Sequence, residues 1–147
     1  MVFMCLAVVG ADARVLCRAA GITAVVLPTL REAAGRDWDL LALTRGAAPP
    51  DGTSSAPRAH SLLLPGSCAP SLARHAEQVV CYGFSPRDTL TLSGTTRTGR
   101  MLCLQRSVVT IRGKLIEPQE LPLSPALSSL ADEDAMLAAL LRLLCGA

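Results

Sequence analysis

VVCYGFSPRDTLTLSGTTRTGRMLCLQRSVVTIRGKLIEPQELPL, residues 79–123, is the stretch where the hydrophobic pattern changes character. It opens on a short apolar strand, Val79–Tyr82, that stops at Gly83. Thr89, Thr91 and Ser93 then alternate with Leu90 and Leu92, the period of a half-exposed strand. Leu102 and Leu104 alternate in the same way with Cys103 and Gln105, and the intervening TTRTG can turn a hairpin. Residues 89–93 and 101–105 are therefore expected to pair antiparallel, with Leu92 near Leu102 or Leu104. Val108–Ile111 and Leu115–Ile116 flank Arg112-Gly113-Lys114, a second turn in which Gly supplies a positive φ.

Upstream, the apolar runs are continuous. Residues 2–9, 22–27 and 39–44 read as buried strands. Asp12 can cap a helix over Ala13–Ala20, and Gly21 suits its end. Thr29 and Glu32 stand at capping-box spacing before a short helix. Continuous strands alternating with short helices predict a parallel sheet covered on both faces. Residues 46–59, GAAPPDGTSSAPRA, form the clearest loop, and the most mobile internal segment is expected there. A strand resumes at Ser61–Leu64, and 70–77 reads as a short helix. Downstream, Leu137, Leu140, Leu141 and Leu144 set the apolar stripe of a terminal helix, with Asp132, Glu133 and Asp134 toward its start. Met136 and Leu143 widen that stripe, so the helix is either deeply buried or contacts a partner. The predicted fold is α/β, a Rossmann-like three-layer sheet, parallel on the N-terminal side and carrying antiparallel hairpins on the C-terminal side. One domain is expected over 1–147: a βαβ-type half at 1–45, the loop at 46–59 and a second half at 60–147.

Half of the 147 residues are hydrophobic but only 3% are aromatic, so the core rests on Leu, Val and Ala. The net charge of +2 does not call for nucleic acid, and Tyr82 and Phe84 stand outside the basic strands, where no base could stack on them. Six cysteines without a C-x-x-C pair read as reduced core thiols. The apolar start has no Lys or Arg before it, unlike a signal peptide, and no run reaches the roughly 20 residues of a membrane span. A cytoplasmic protein with no membrane or nucleic-acid ligand is expected.

The order strand, turn, short helix, strand ending in Tyr82-Gly83, hairpin with a Gly-centred turn, Pro-flanked exit and Ala/Leu-rich helix resembles the closing part of the Mur ligase central domain. It covers about residues 61–123. It is similar, too, to short bacterial proteins that carry this tail behind a small α/β beginning. A Mur ligase would hold ATP phosphates on a Gly-rich loop ending in Gly-Lys-Thr/Ser. Here no G-K-[ST] occurs, Lys114 sits in a hairpin turn, and Gly10-Ala11-Asp12 occupies the strand-to-helix position. Pro65-Gly66-Ser67 replaces the family's Asn/Asp-rich turn and SPALSSLADED its Asn-containing entry into the helix, and no ligation domain is expected after that helix. The resemblance therefore implies a binding role: no catalytic, cofactor or metal residue carries over, and neither ATP hydrolysis nor tight ATP binding is expected.

Charge is unevenly placed. From Arg87 to Lys114 there are six basic residues and one acid; from Leu115 onward there are five acids and one base. Arg97, Arg100, Arg106 and Arg112 are the candidate anion-binding residues, since guanidinium groups suit bidentate oxyanion contacts; the alternative is a solvated sheet face. Glu117 or Glu120 is expected beside Arg106, Arg112 or Lys114. His60 and His75 read as surface or capping residues rather than metal ligands. Ser67-Cys68 could present a nucleophile if His75 lay nearby as its base. Glu117 and Glu120 could act as an acid–base pair only across a cleft. Three functions follow: a Mur-ligase-like domain that binds a protein partner or a cell-wall-precursor-like anion; a small enzyme with a Cys or carboxylate site at the strand ends; or a structural protein, homo-oligomeric or partnered through the terminal helix.

Overall fold

A computed structural model describes residues 4–47, 57–68, 73–97 and 99–146. The chain runs β1 (Leu6–Val9), α1 (Ala13–Ala20), β2 (Val25–Leu27), a 3-10 turn (Leu30–Ala33), β3 (Asp37–Leu43), β4 (Arg58–Pro65), β5 (Ala76–Tyr82), β6 (Leu90–Thr96) and β7 (Gly99–Leu104). It continues through β8 (Val108–Val109), β9 (Leu115–Ile116), β10 (Gln119–Pro122), a second 3-10 turn (Pro125–Leu127) and α2 (Asp132–Cys145). Eight strands form one sheet in the order β10-β7-β6-β5-β4-β3-β1-β2. Strands β2 through β6 are parallel, and β7 and β10 add antiparallel pairs. The fold is thus α/β with a mostly parallel mixed sheet, antiparallel hairpins and a C-terminal helix.

The continuous apolar runs are explained by burial on both faces. Val8, Leu40, Ala42, Leu63, Val80 and Tyr82 face α1 and α2, which pack against each other on one side. Ala7, Val9, Leu41, Leu43, Leu62 and Leu64 face the other side, with Leu30 and Ala33 of the 3-10 turn and Trp38. Where β6 and β7 take over, the pattern becomes alternating because only one face is covered. Leu92 pairs with Leu102, and Leu90 with Leu104, as the alternation predicts. The second hairpin also forms as expected, with Gly113 at φ +88°, but β8 and β9 make a separate two-stranded sheet.

The differences are local. Strand β4 begins at Arg58, inside the segment read as loop; residues 48–56 of that loop lie outside the described residues, as does the expectation of mobility there. The helix read over 70–77 falls partly outside them, and Ala76 and Glu77 are strand residues, paired across to β4 through Ala76–Ala59. Asp12 and Thr29 precede their helices but neither side chain makes a capping hydrogen bond. The apolar stripe of α2 is not free for a partner. Met136, Leu137, Leu140 and Leu141 are fully buried within the chain. Among the described residues, no helix is long and apolar enough to cross a membrane.

Candidate functional site

The four candidate arginines do not converge. Arg97 is exposed in the β6–β7 turn, and Arg106 lies beyond the opposite end of β7. Six strand residues separate them, roughly 20 Å. Arg100 serves the fold instead: its guanidinium pairs with Asp132 at 2.8 Å and donates to the carbonyls of Ser128 and Leu127 at 2.9 and 3.4 Å. Glu117 and Glu120 form no ion pair with Arg106, Arg112 or Lys114; among the described residues the acids that pair with arginine are Asp132, Glu133 and Asp134 of α2. The pairing expected at Glu117 or Glu120 does not form; the arginine–carboxylate pairs among the described residues lie at the start of α2, and of the basic stretch only Arg100 takes part in them. The two glutamates are exposed, Glu117 just before and Glu120 within the edge strand β10.

Arg112 has a different neighbour. The tip of the β8–β9 hairpin docks on the end of α2, where the Ile111 amide donates to the Leu144 carbonyl at 3.0 Å. This brings Arg112 to the rim of a groove of about 540 Å³ that Arg142 also lines, together with Leu6, Ala20, Ile22 and Cys145. Arg142 donates to the Ser124 hydroxyl at 3.0 Å. Arg112 makes no hydrogen bond or ion pair among the described residues. Burial and the neighbouring Cys17 push the Cys145 thiol up to about 11, so it stays uncharged. No carboxylate lines this groove among the described residues.

The carboxyl ends of the parallel strands, where open α/β sheets take up ligands, are built otherwise. Strand β1 ends at Gly10, with φ +129°, and the Thr44 side chain fills the space a Cβ would need there. The Thr44 hydroxyl donates to the Val9 carbonyl at 2.9 Å. Arg45 lies 3.8 Å from both Glu133 and Asp134. The Tyr82 hydroxyl donates to the Leu43 carbonyl at 2.7 Å, and burial pushes its ionisation upward. The buried Asp88 lies against Gly66 and Gly83, its carboxylate accepting from the Ser85 amide at 3.0 Å. Cys68 is here as well. Burial and then Cys81 push its thiol up to about 11.

His75 is at the other end of the sheet. It precedes β5, whose start pairs beside the start of the parallel β4, so the length of β4 stands between it and Ser67-Cys68. The proposed nucleophile and base do not meet. Instead His75 and His60 line one open pocket of about 440 Å³ with Asp37, Asp39, Arg58 and Glu77. His60 Nε2 is 3.5 Å from the Glu77 carboxylate. Asp39 is engaged, accepting from the Cys5 amide at 2.7 Å. Among the described residues no three His, Cys, Asp or Glu side chains are grouped to hold a metal ion. Compared with protein-family models, with characterised proteins and with solved structures, the chain matches none.

Proposed function

We propose that the chain is a non-catalytic binding domain, Mur-ligase-like in ancestry and cytoplasmic, with neither nucleic acid nor membrane as its ligand. The observation that carries this reading is the state of the carboxyl-end crevice. Its loop after β1 is packed against Thr44, and its arginine, Arg45, is neutralised by Glu133 and Asp134. A triphosphate would meet acids at the amino end of α2, where a nucleotide-binding helix would offer bare amides. The small-enzyme reading is weaker, because Cys68 is held as a thiol and His75 lies far from it. A thiol that far above neutral pH is a poor nucleophile.

The test is calorimetry of the whole chain with Mg-ATP and with a UDP-linked amino sugar, alongside a phosphate-release assay. The expected result is no phosphate release and no micromolar affinity for Mg-ATP. Micromolar Mg-ATP affinity or steady phosphate release overturns the reading. Binding of the UDP-sugar alone favours a cell-wall-precursor-like anion as the ligand. Phe84, 60% exposed on the loop after β5, is the observation behind the second reading, a protein partner; the buried α2 is not.

A further inference from the structure

We infer that the open edge of β2 is a docking site for an extended segment of a partner protein in which acidic and apolar residues alternate. The inference rests on the binding role proposed above and assigns it a place and a partner class. The sheet has two edge strands, β10 and β2. In β10 the Leu123 amide donates to the Arg100 carbonyl at 2.9 Å, so the odd residues Gln119 and Leu121 turn their main chain toward β7 while Glu120 and Pro122 turn theirs outward. Pro122 has no N–H, and Pro118 precedes the strand, so this edge is closed to a further strand. Strand β2 carries neither proline nor charge. There the Gly10 amide donates to the Leu27 carbonyl at 2.9 Å, so Val25 and Leu27 face β1 and Val26 turns its N–H and C=O to the open side. Among the described residues nothing bonds to that side.

The two faces of β2 dictate what an added strand carries, because neighbouring strands share their faces. Val26 lies on the helix side, packed against the core that includes Leu16 of α1. Leu27 lies on the other side with Leu30 and Ala33, and Val25 shares that side, 43% exposed. Helix α1 sits over β1 and β2 with α2 on its inner flank, so its exposed side borders the β2 edge. Arg14 and Arg18 stand there one turn apart. Neither side chain makes an ion pair or hydrogen bond among the described residues. Asp12, before the helix, is the one acid beside them; on the Val25 side the exposed Arg31 and Glu32 offset each other. Every second residue of the segment is therefore acidic, toward Arg14 and Arg18, and the residues between are apolar, beside Val25. Main-chain bonds to Val26 supply affinity and the alternation supplies specificity. A second copy of β2 fits less well, because a two-fold axis at that edge sets Arg14 and Arg18 against their own equivalents.

Titration calorimetry of the full chain tests this with the peptide acetyl-Glu-Val-Glu-Val-Glu-Val-Glu-amide, its counterpart with lysine at every Glu, and a third with proline at the central position. The acidic peptide should bind at least fivefold tighter than either of the others, and saturation with it should slow exchange of the Val26 amide at least tenfold. Arg14→Gln combined with Arg18→Gln should weaken its binding tenfold or more and leave the thermal midpoint unchanged. Arg97→Gln, on the distant turn, should change nothing. No binding of the acidic peptide, or protection of Glu120 in place of Val26, overturns the site. Undiminished binding of the proline peptide overturns strand pairing. Equal binding of the lysine peptide, or indifference to the two arginine substitutions in a folded protein, overturns the partner class. So does a free protein that sediments as a dimer with Val26 already protected. The binding role itself fails separately, through ATP turnover in the assay described above.

Discussion

Gln78 and Val109 exchange two hydrogen bonds: the Gln78 side-chain carbonyl accepts from the Val109 amide at 2.8 Å, and its amide donates to the Val109 carbonyl at 2.9 Å. The Gln78 amide also donates to the hydroxyl of the buried Ser61 at 2.9 Å. A side chain thus imitates a strand partner. It ties the β8–β9 hairpin, which belongs to no part of the large sheet, to the middle of β5. Together with the Ile111–Leu144 bond, this anchorage holds Arg112 at the rim of its groove.

Gln78→Leu should therefore loosen the hairpin. It leaves both polar groups of Val109 without their partner, a cost of about 1–3 kcal/mol. Urea denaturation should report that loss, and amide exchange should quicken at Val109. An unchanged midpoint would mean the two hydrogen bonds are replaced by water without penalty.

Arg100 and Arg97 are neighbours in sequence with opposite roles. Arg100→Met removes an ion pair and two carbonyl contacts at the entry to α2, and should destabilise the fold by about 1–3 kcal/mol. Arg97→Met, on an exposed turn, should stay within about 0.5 kcal/mol. Equal midpoints for the two variants would refute the assignment of Arg100 to the fold.

A methyl group on Gly66 would run into the carboxylate of the buried Asp88, which is held by the Ser85 amide. Gly66→Ala should cost about 1–3 kcal/mol through this overpacking. Gly94→Ala is the control, since open space surrounds that position. Chemical denaturation of the pair should separate them; if both behave alike, the turn carrying Asp88 is more yielding than its burial implies.

Alkaline pH should weaken the fold through its thiols. Burial, then a neighbouring thiol, raises Cys68 and Cys145 from 9.0 to about 11, and burial raises Cys17 as well. A group whose value in the folded state exceeds its unfolded value contributes fully below the lower value. The contribution is lost as pH climbs through the higher one. The thermal midpoint should fall between pH 9 and 11, and Cys68→Ala with Cys145→Ala should flatten that fall. A slope identical in the double variant would assign the loss to other groups.

What could be read from the sequence was what local periodicity encodes. The alternation around Leu90 and Leu92 forecast the pairing with Leu104 and Leu102, and the leucine spacing forecast α2. The start of β5 was illegible because Ala73 to Glu77 is polar and helix-tolerant; what makes Ala76 a strand residue is its pairing with Ala59, and such context overrides propensity. The sites depended on tertiary docking still more. His60 and His75 become neighbours only through the parallel register of β4 and β5. Nothing in the pattern predicted that Arg142, in the last turn of α2, and Arg112, in the hairpin, would line one groove. Arg100 looked like an anion ligand because a guanidinium held by its own chain has the same sequence signature as a free one.

The central position of α2 has a consequence for how the protein is made. Its buried residues pack with Val8 and Leu16, near the start of the chain, and with Val80 and Tyr82 in the middle. During synthesis those partners emerge long before residue 132. At about 5–20 residues per second, the interval from Tyr82 to Cys145 is roughly 3–13 s. For that time the nascent sheet has no second helix to lie against its inner face, and Leu40, Leu63 and Val80 are open to a chaperone or to another nascent copy. Completion of this core therefore waits for α2, and a translation product stalled before that helix would retain the sticky surface without the element that covers it.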